Sequence, residues 1–253
     1  MNMNKENIDN QTVIFAVSDV HGHYTALMQA LEESGFDAGN ENHVFLSLGD
    51  LADRGTENVK VYEFVKSLPR KILLKGNHED MLRDILTGGE VSVTDIYNGT
   101  DITVAELLGE EAIDKYGFID LYKYEEKIAE TLSFLDSMEN YFEFGDYVFT
   151  HGWLPCDIDL AHRKARVLDD WRNATEEEWS EARWLSWKEM YAVGAMLAGK
   201  TVVCGHRPAR MGDTFDPMRE RDCDDIFYGD GVIAIDAYTI RSGKVNVLRI
   251  SAQ

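Results

Sequence analysis

Apolar positions along this chain come in short runs, and five of those runs stop abruptly at a cluster of polar residues and glycine. Residues 12–18 (TVIFAVS), 43–48 (HVFLSL), 71–74 (KILL), 147–150 (YVFT) and 201–204 (TVVC) are too short for helices and rich in β-branched or aromatic side chains, so they predict strands. Between the first three, the period changes. Ala26, Leu27, Ala30 and Leu31 repeat at helical spacing and stop at Gly35. Val59, Val61, Tyr62, Phe64, Val65 and Leu68 make 57–68 amphipathic, halted by Pro69, and a short helix is predicted over 81–86. Strand, polar tip and helix thus follow one another three times. This order predicts an α/β fold in which a mostly parallel sheet carries helices on its faces.

The remainder is less regular. Residues 88–140 keep a helical period with many acids and read as a helical insertion or cap, with a turn at Asn98-Gly99-Thr100. A hairpin is predicted over 141–150, turning at Gly145-Asp146. Residues 155–199 hold Trp171, Trp179, Trp184 and Trp187 and are predicted mostly helical. Residues 209–230, with Pro217 and an acidic cluster at 222–225, read as an exposed loop, followed by a strand, a turn at Ser242-Gly243 and a last strand. There is no internal repeat. The simplest organisation is a flexible lead over 1–11 and a single domain over 12–253, with 88–140 as a cap within it.

Composition narrows the partners. The 253 residues are 44% hydrophobic, enough for a sizeable core. Forty-six acids against 25 bases leave a net charge of −21, which repels extended nucleic acid and anionic membrane surfaces. A small phosphorylated substrate stays compatible, because bound divalent metals reverse the field locally. No run approaches the roughly 18 apolar residues of a membrane span, and the polar start is unlike a signal peptide. Cys156, Cys204 and Cys223 are widely spaced and odd in number, so reduced thiols and a cytoplasmic location are expected. No obligate partner is evident.

The polar tips carry the chemistry. They are DVHGH at 19–23, GDLADRG at 49–55, GNHED at 76–80, HGW at 151–153 and GHRP at 205–208. A lone histidine or aspartate at a strand end is ordinarily a structural residue. Five tips together, each with a glycine that lets the backbone approach a ligand closely, point to one site. Carboxylate, imidazole and amide donors without thiolate suit divalent Mn, Fe, Zn or Mg. So many donors exceed what one ion needs. Two ions sharing a carboxylate fit the count, and such a pair lowers the pKa of a water and clamps both oxygens of an in-line displacement at phosphorus.

These motifs, in this order, resemble the signature of the calcineurin-like metallophosphoesterases, and more narrowly the serine/threonine phosphoprotein phosphatase family with its bacterial and phage members. The resemblance runs from Asp19 to His206 with a weaker tail to Gly243. It implies a β-sandwich of mixed sheets flanked by helices. It also implies two divalent ions (Mn first; Fe, Zn, Ni or Mg as alternatives), with Asp19 and His21 on one, Asp50 bridging, and Asn77, His151 and His206 on the other. His78 is implied as the general acid oriented by Asp53, and Arg54 as a phosphate clamp assisted by Asn77. Arginine suits that task physically, since its planar fork matches phosphate oxygens.

Two departures stand out. Ser18 replaces a glycine of the family pattern, and Arg207 replaces a threonine. A second phosphate arginine is expected after the HG motif; Arg183 is the candidate there, with Arg207 beside it, and the alternatives are a packed helix face for the first and a surface ion pair for the second. Asn98-Gly99 is either a plain turn or a piece of the site rim. His23, His43 and His162 read as a cap and surface residues, and Glu79 and Asp80 as acids at a helix N-terminus, where they are favourable without a role.

The expected activity is metal-dependent phosphoester hydrolysis by a bridging hydroxide, first on a phosphorylated protein or small phosphoester. A symmetrical diadenosine tetraphosphate hydrolase or other nucleotide phosphohydrolase is the second reading. A catalytically silent phosphate- or metal-binding module is the third, disfavoured by the intact Asp53, Arg54 and His78.

Overall fold

The computed structural model describes residues 9–159, 161–209 and 224–251. The lead over 1–8, Cys223 and most of the 209–230 loop, Pro217 included, lie outside the described residues.

The first sheet holds β1 (Val13–Val17), β2 (His43–Ser47) and β3 (Lys71–Leu73) in parallel, with β11 (Leu248–Ser251) antiparallel on the outer side of β1. The second runs β4-β5-β8-β10-β9, that is Tyr141–Phe144, Tyr147–Thr150, Thr201–Cys204, Val232–Ala234 and Phe227–Gly229. In it β5, β8 and β10 are parallel, and β4 and β9 close the two sides antiparallel. The predicted parallel unit is therefore one of two mixed sheets.

Alternation along the strands decides how they stack. Ile14, Ala16, Val44 and Leu46 of the first sheet meet Phe149, Val203 and Ile233 of the second in a central core. The intervening Val17 and Phe45 face the other way, onto α1 (Tyr24–Ser34), α2 (Asn58–Ser67) and α3 (Asn77–Gly88). On the far side, Val148, Val202, Cys204 and Val232 pack against Trp153, Trp171, Trp179 and Trp187. Strands covered on both faces lose polar positions, which is why they read as unbroken apolar runs. Helix, sheet, sheet and helix form four layers.

The insertion carries α4 (Val93–Asn98), α5 (Thr100–Leu108) and α6 (Glu125–Asp136). Elsewhere the sequence reading needs correction. Residues 155–199 are not wholly helical: β6 (Cys156–Asp159) and β7 (Lys164–Val167) pair as a separate hairpin before α7 (Glu176–Arg183) and α8 (Trp187–Ala192). This hairpin is mostly exposed, so it has no apolar alternation to reveal it. The helix predicted from Met81 starts four residues earlier, at Asn77, because its first turn is polar and turned into the site. One helical turn, α9 (Thr239–Ser242), precedes Gly243.

Candidate active site

Parallel register places the tips together. Val13 pairs with His43 and Phe45 with Lys71, so the loops after β1, β2 and β3 leave one edge side by side. Parallel pairing of β5 with β8 does the same for His151 and His206 in the second sheet. Backbone bonds stitch the loops to one another. Asp19 N–H donates to Gly49 O at 3.2 Å, His21 N–H to Asp50 O at 3.0 Å, and Gly205 N–H to His151 O at 2.7 Å. The two sheets are joined where His206 N–H donates to Asp19 Oδ2 at 2.9 Å.

The backbone here is held in a costly conformation. Of the eight non-glycine residues with positive φ among the described residues, seven surround the site: Asp19, His21, Asp50, Asp53, Arg54, His206 and Tyr238. Each left-handed residue costs on the order of 1 kcal/mol or more, and such strain persists where surrounding structure over-determines it. Two glycines make the crossings feasible. Gly49 has φ +99°, and a Cβ there would lie 2.3 Å from the Gly76 nitrogen; one on Gly205 would collide with Ser18 Oγ and Asp19.

Asp50 is the hub of the donor set. Its Oδ2 lies 3.5 Å from His151 Nε2, 3.7 Å from His21 Nε2 and 3.9 Å from His78 Nε2. These separations are too long for hydrogen bonds. They suit ligands of a common ion, since donors at ~2.1 Å from a metal lie at most about 4.2 Å apart. Two clusters share Asp50: His21, Asp50 and His78, and Asp50, His151 and His206. Asp19 borders the first, its Oδ1 3.9 Å from His21 Nε2, while its Oδ2 is occupied by Ser18 Oγ–H and the His206 N–H.

Hydrogen bonds on the far side of the imidazoles set their tautomers. His151 Nδ1 donates to Leu48 O at 2.8 Å and His21 Nδ1 to Ala52 O at 3.1 Å, because a carbonyl can only accept. In the tautomer protonated at Nδ1, each ring then turns an Nε2 lone pair into the site. At His151 that lone pair meets Asn77 Oδ1 at 2.9 Å, acceptor against acceptor, a contact that a shared cation would reconcile. His78 Nε2 and His206 Nε2 are buried without a hydrogen-bond partner. Burial drives the His21 imidazole well below its ordinary pKa, and burial together with His151 pushes His206 down to about 3. Burial raises Asp50, yet His151, His78 and His21 outweigh it and leave the carboxylate lowered. Neutral imidazoles at His21 and His206 beside the ionised Asp50 carboxylate form a site fitted to divalent metal.

His78 and Asp53 form a pair beside this cluster, Nδ1 to Oδ2 at 2.7 Å. Burial disfavours the charged ring, but Asp50 and Asp53 prevail and the His78 pKa is raised. The Asp53 carboxylate is saturated from the insertion: Thr100 Oγ–H donates to Oδ2 at 2.6 Å and Thr103 Oγ–H to Oδ1 at 2.5 Å. Arg54 is exposed, with Nη1 3.3 Å from His21 Nε2 and Nη2 donating to Asn98 Oδ1 at 3.2 Å. Asn98-Gly99 is thus part of the rim and not a remote turn.

Glu79, expected to be only a favourable helix-end acid, is buried and accepts three backbone N–H groups: Gly76 at 2.7 Å, Asp50 at 2.8 Å and Leu51 at 3.0 Å. It fastens the Asp50 loop to the start of α3. Burial and the neighbouring Asp50 push its carboxyl up to about 7 despite those donors. Asp236 at the end of β10 was also absent from the sequence reading. It is 4% exposed, accepts from Tyr238 N–H at 2.6 Å, and is raised well above the carboxylate range by burial and then by Asp19. Asp236 does not stand out in sequence, and the task of Glu79 does not, because each acts through burial and backbone contacts that the fold creates.

Above the cluster opens a cavity of about 690 Å³ whose lining includes Asp50, Asn77, Arg54, Lys188, Arg207 and Asp236. Three cationic side chains meet there in a chain of net charge −21. Arg207 is therefore at the cavity. Arg183 is not. It is 1% exposed and donates from Nε to Asp80 Oδ2 at 2.7 Å, from Nη1 to Asn140 at 2.8 Å and from Nη2 to Glu176 at 2.8 Å. It ties α7 to α3 and to the start of β4, and the expectation of a second phosphate arginine at this position is corrected. His23 bonds to His21 O, and His162 pairs with Asp159 on the surface.

Sequence comparison agrees with this architecture. The sequence model of the family described as calcineurin-like phosphoesterase matches residues 12–235. The asymmetrical bis(5'-nucleosyl)-tetraphosphatase PrpE of Bacillus subtilis is 30% identical over 207 residues, spanning 77% of this chain and 78% of that protein. Among solved structures, a protein provisionally described as a diadenosine tetraphosphatase aligns over 96% of this chain and 95% of its own, with 13% identity and a TM-score of 0.54. A protein serine/threonine phosphatase from Saccharomyces cerevisiae aligns over 97% and 81%, with 14% identity and a TM-score of 0.56. At such identities the structures attest the fold alone. The family match over most of the chain, and the shared Asp50 between two histidine clusters, lead to one assignment: this chain belongs to the calcineurin-like phosphoesterase family.

Proposed function

We propose that this phosphoesterase acts on a nucleoside polyphosphate of the dinucleoside tetraphosphate kind, using two divalent ions, manganese first among them. The observation that carries the reading is the cavity itself. Two donor clusters sharing Asp50 form its floor, and Arg54, Lys188 and Arg207 stand around it, more cationic contacts than a single phosphoryl group requires. The relation to a tetraphosphatase over three-quarters of both chains supports it.

Asp19, His21 and Asp50 would hold one ion, and Asp50, Asn77, His151 and His206 the other. The ions would supply Lewis acidity at phosphorus and a water of lowered pKa. Leu48 O and Ala52 O keep the imidazoles turned for ligation, and Glu79 keeps Asp50 at the centre. Arg54, steadied by Asn98, holds phosphate oxygens. His78, kept protonated by Asp53, donates from Nε2 to the oxygen that leaves. No described helix is long and apolar enough to cross a membrane. We place the protein in the cytoplasm, where Cys156 and Cys204, both free, stay reduced, acting without an obligate partner.

A phosphorylated protein is the second reading, favoured by the exposed apolar rim at Ile96, Tyr97 and Ile102, which a peptide could also cover. Metal analysis combined with a panel of diadenosine tetraphosphate, a phosphoserine peptide and para-nitrophenyl phosphate at near-neutral pH separates the two. The dinucleotide is expected to exceed the peptide in kcat/KM by at least about tenfold; the reverse order overturns the substrate assignment. Asp50→Asn should lose bound metal and at least about 10²-fold in turnover of every substrate. Full turnover with metal absent would overturn the two-ion reading.

A further inference from the structure

The cavity wall holds aromatic groups that folding does not explain. Trp153, Trp171, Trp179 and Trp187 are fully buried, whereas Trp184 is 47% exposed, its ring edge-on to His206 at 5.8 Å. Tyr97, also in the lining, is 89% exposed. It stands on α4, a helix that buries none of its side chains. That helix is fixed instead by its ends: Ser92 forms a capping box with Asp95, and Gly99 closes it in the left-handed conformation. Ile96, Ile102 and Ile240 line the same mouth and are also exposed. An apolar, aromatic surface kept in water around a polar floor marks a place where ligand is bound.

We propose that Tyr97 and Trp184 form a nucleobase subsite, on which the base of the substrate stacks while its phosphates reach down to Arg54, Lys188 and Arg207. The inference rests on the nucleoside polyphosphate reading and says which residues recognise the base. Flat rings offer π-faces that any base can use, and the cations lie in the same cavity, as a base joined to several phosphates requires. A volume of about 690 Å³ accommodates a nucleotide. A phosphopeptide would cover the apolar rim, but it brings a single phosphate to a cavity with three cations and no planar ring by necessity.

Trp184 is the exposed tryptophan of the five in the sequence, so its fluorescence reports occupancy directly. The metal-loaded protein is titrated with adenosine 5′-(α,β-methylene)diphosphate and, in parallel, with methylenediphosphonate, which lacks base and sugar. Quenching is expected with the nucleotide and not with the diphosphonate. Tyr97→Ala should weaken the nucleotide by about tenfold and the diphosphonate by less than about twofold. Trp184→Leu should abolish the quench, while Trp184→Phe, which keeps a stacking face, should retain nucleotide affinity measured by calorimetry. Equal affinity for the two analogues, or a phosphoserine peptide whose binding depends on Tyr97 when the nucleotide's does not, overturns the subsite. Base-dependent binding without turnover of diadenosine tetraphosphate would instead overturn the substrate assignment and leave the subsite in place.

Discussion

At the floor of the cavity, Asp19, His21, Asp50, Asn77, His151 and His206 all follow closely on the ends of β1, β2, β3, β5 and β8. They are buried or nearly so, and Asp19, His21, Asp50 and His206 are themselves held in left-handed conformations. The wall is different. Ile96, Tyr97 and Ile102 stand on short helices of the insertion, exposed and unstrained, and they meet the floor through a few specific bonds from Asn98, Thr100 and Thr103. The floor is made by sheet register, which brings any residue at a strand end to the same edge. The wall is made by capping and side-chain bonds across long stretches of sequence. Chemistry is thereby placed on the rigid part and recognition on the part that can vary.

Substitutions can separate the two. His78→Asn removes a group at the floor and should reduce kcat on alkyl phosphates by about 10²-fold or more, with para-nitrophenyl phosphate, whose leaving group needs no proton, far less affected. Equal losses on both would show that His78 is not the acid. Arg183→Met tests the opposite point, that a buried arginine behind the floor has no part in substrate binding. It should lower stability by about 3 kcal/mol, read from urea denaturation, because Asp80 loses its cation and keeps the Ser180 hydroxyl as its donor. The KM of the folded fraction should hold. Thr103→Val strikes the joint between floor and wall, and a loss of about tenfold in kcat is expected, recovered by Thr103→Ser. Failure of serine to recover it would mean that the methyl, not the hydroxyl, matters.

The smallest effect concerns pH. Burial raises the Glu176 carboxyl, but Asn140, Arg183 and Lys75 outweigh it and hold it at about 2, against an ordinary value of 4.5. A depressed folded pKa means stability present above 4.5 and lost as pH falls towards 2. The urea midpoint should decline across that window, and Glu176→Gln should decline less. An identical slope would remove Glu176 from the network.

What could be read from residues alone follows the same division. His21, Asp50, Asn77, His151 and His206 stood out because each sits beside a glycine soon after an apolar run, and Asp19 because it shares a tip with His21, a pattern local to a few residues. Arg183 looked equally local, an arginine beside tryptophans, yet its destination is fixed by Asp80 and Asn140, 103 and 43 residues away. Glu79 was visible and misjudged, since a helix-end acid is favourable with or without a task. Its three backbone partners exist only once the β2 loop has folded over the start of α3. Thr100 read only as the end of a turn, Thr103 was masked by belonging to an ordinary helix, and Asp236 by a strand end without a glycine next to it. The hairpin of β6 and β7 was missed because exposed strands have no buried face to imprint on sequence.

One pairing described with the fold bears on how the molecule is made. The strand that completes the first sheet beside β1 is β11, from the far end of the sequence. Until it arrives, β1 keeps an open row of amide and carbonyl groups while the loops that hold Asp19 and His21 already hang from its other end. During synthesis these candidate metal-binding residues are therefore exported before the sheet that aligns them can close. Non-local closure of this sort slows folding and leaves a sticky edge in the interval. Catalytic competence becomes a late event in the life of each chain, and nascent copies have the most opportunity to pair with one another just before it.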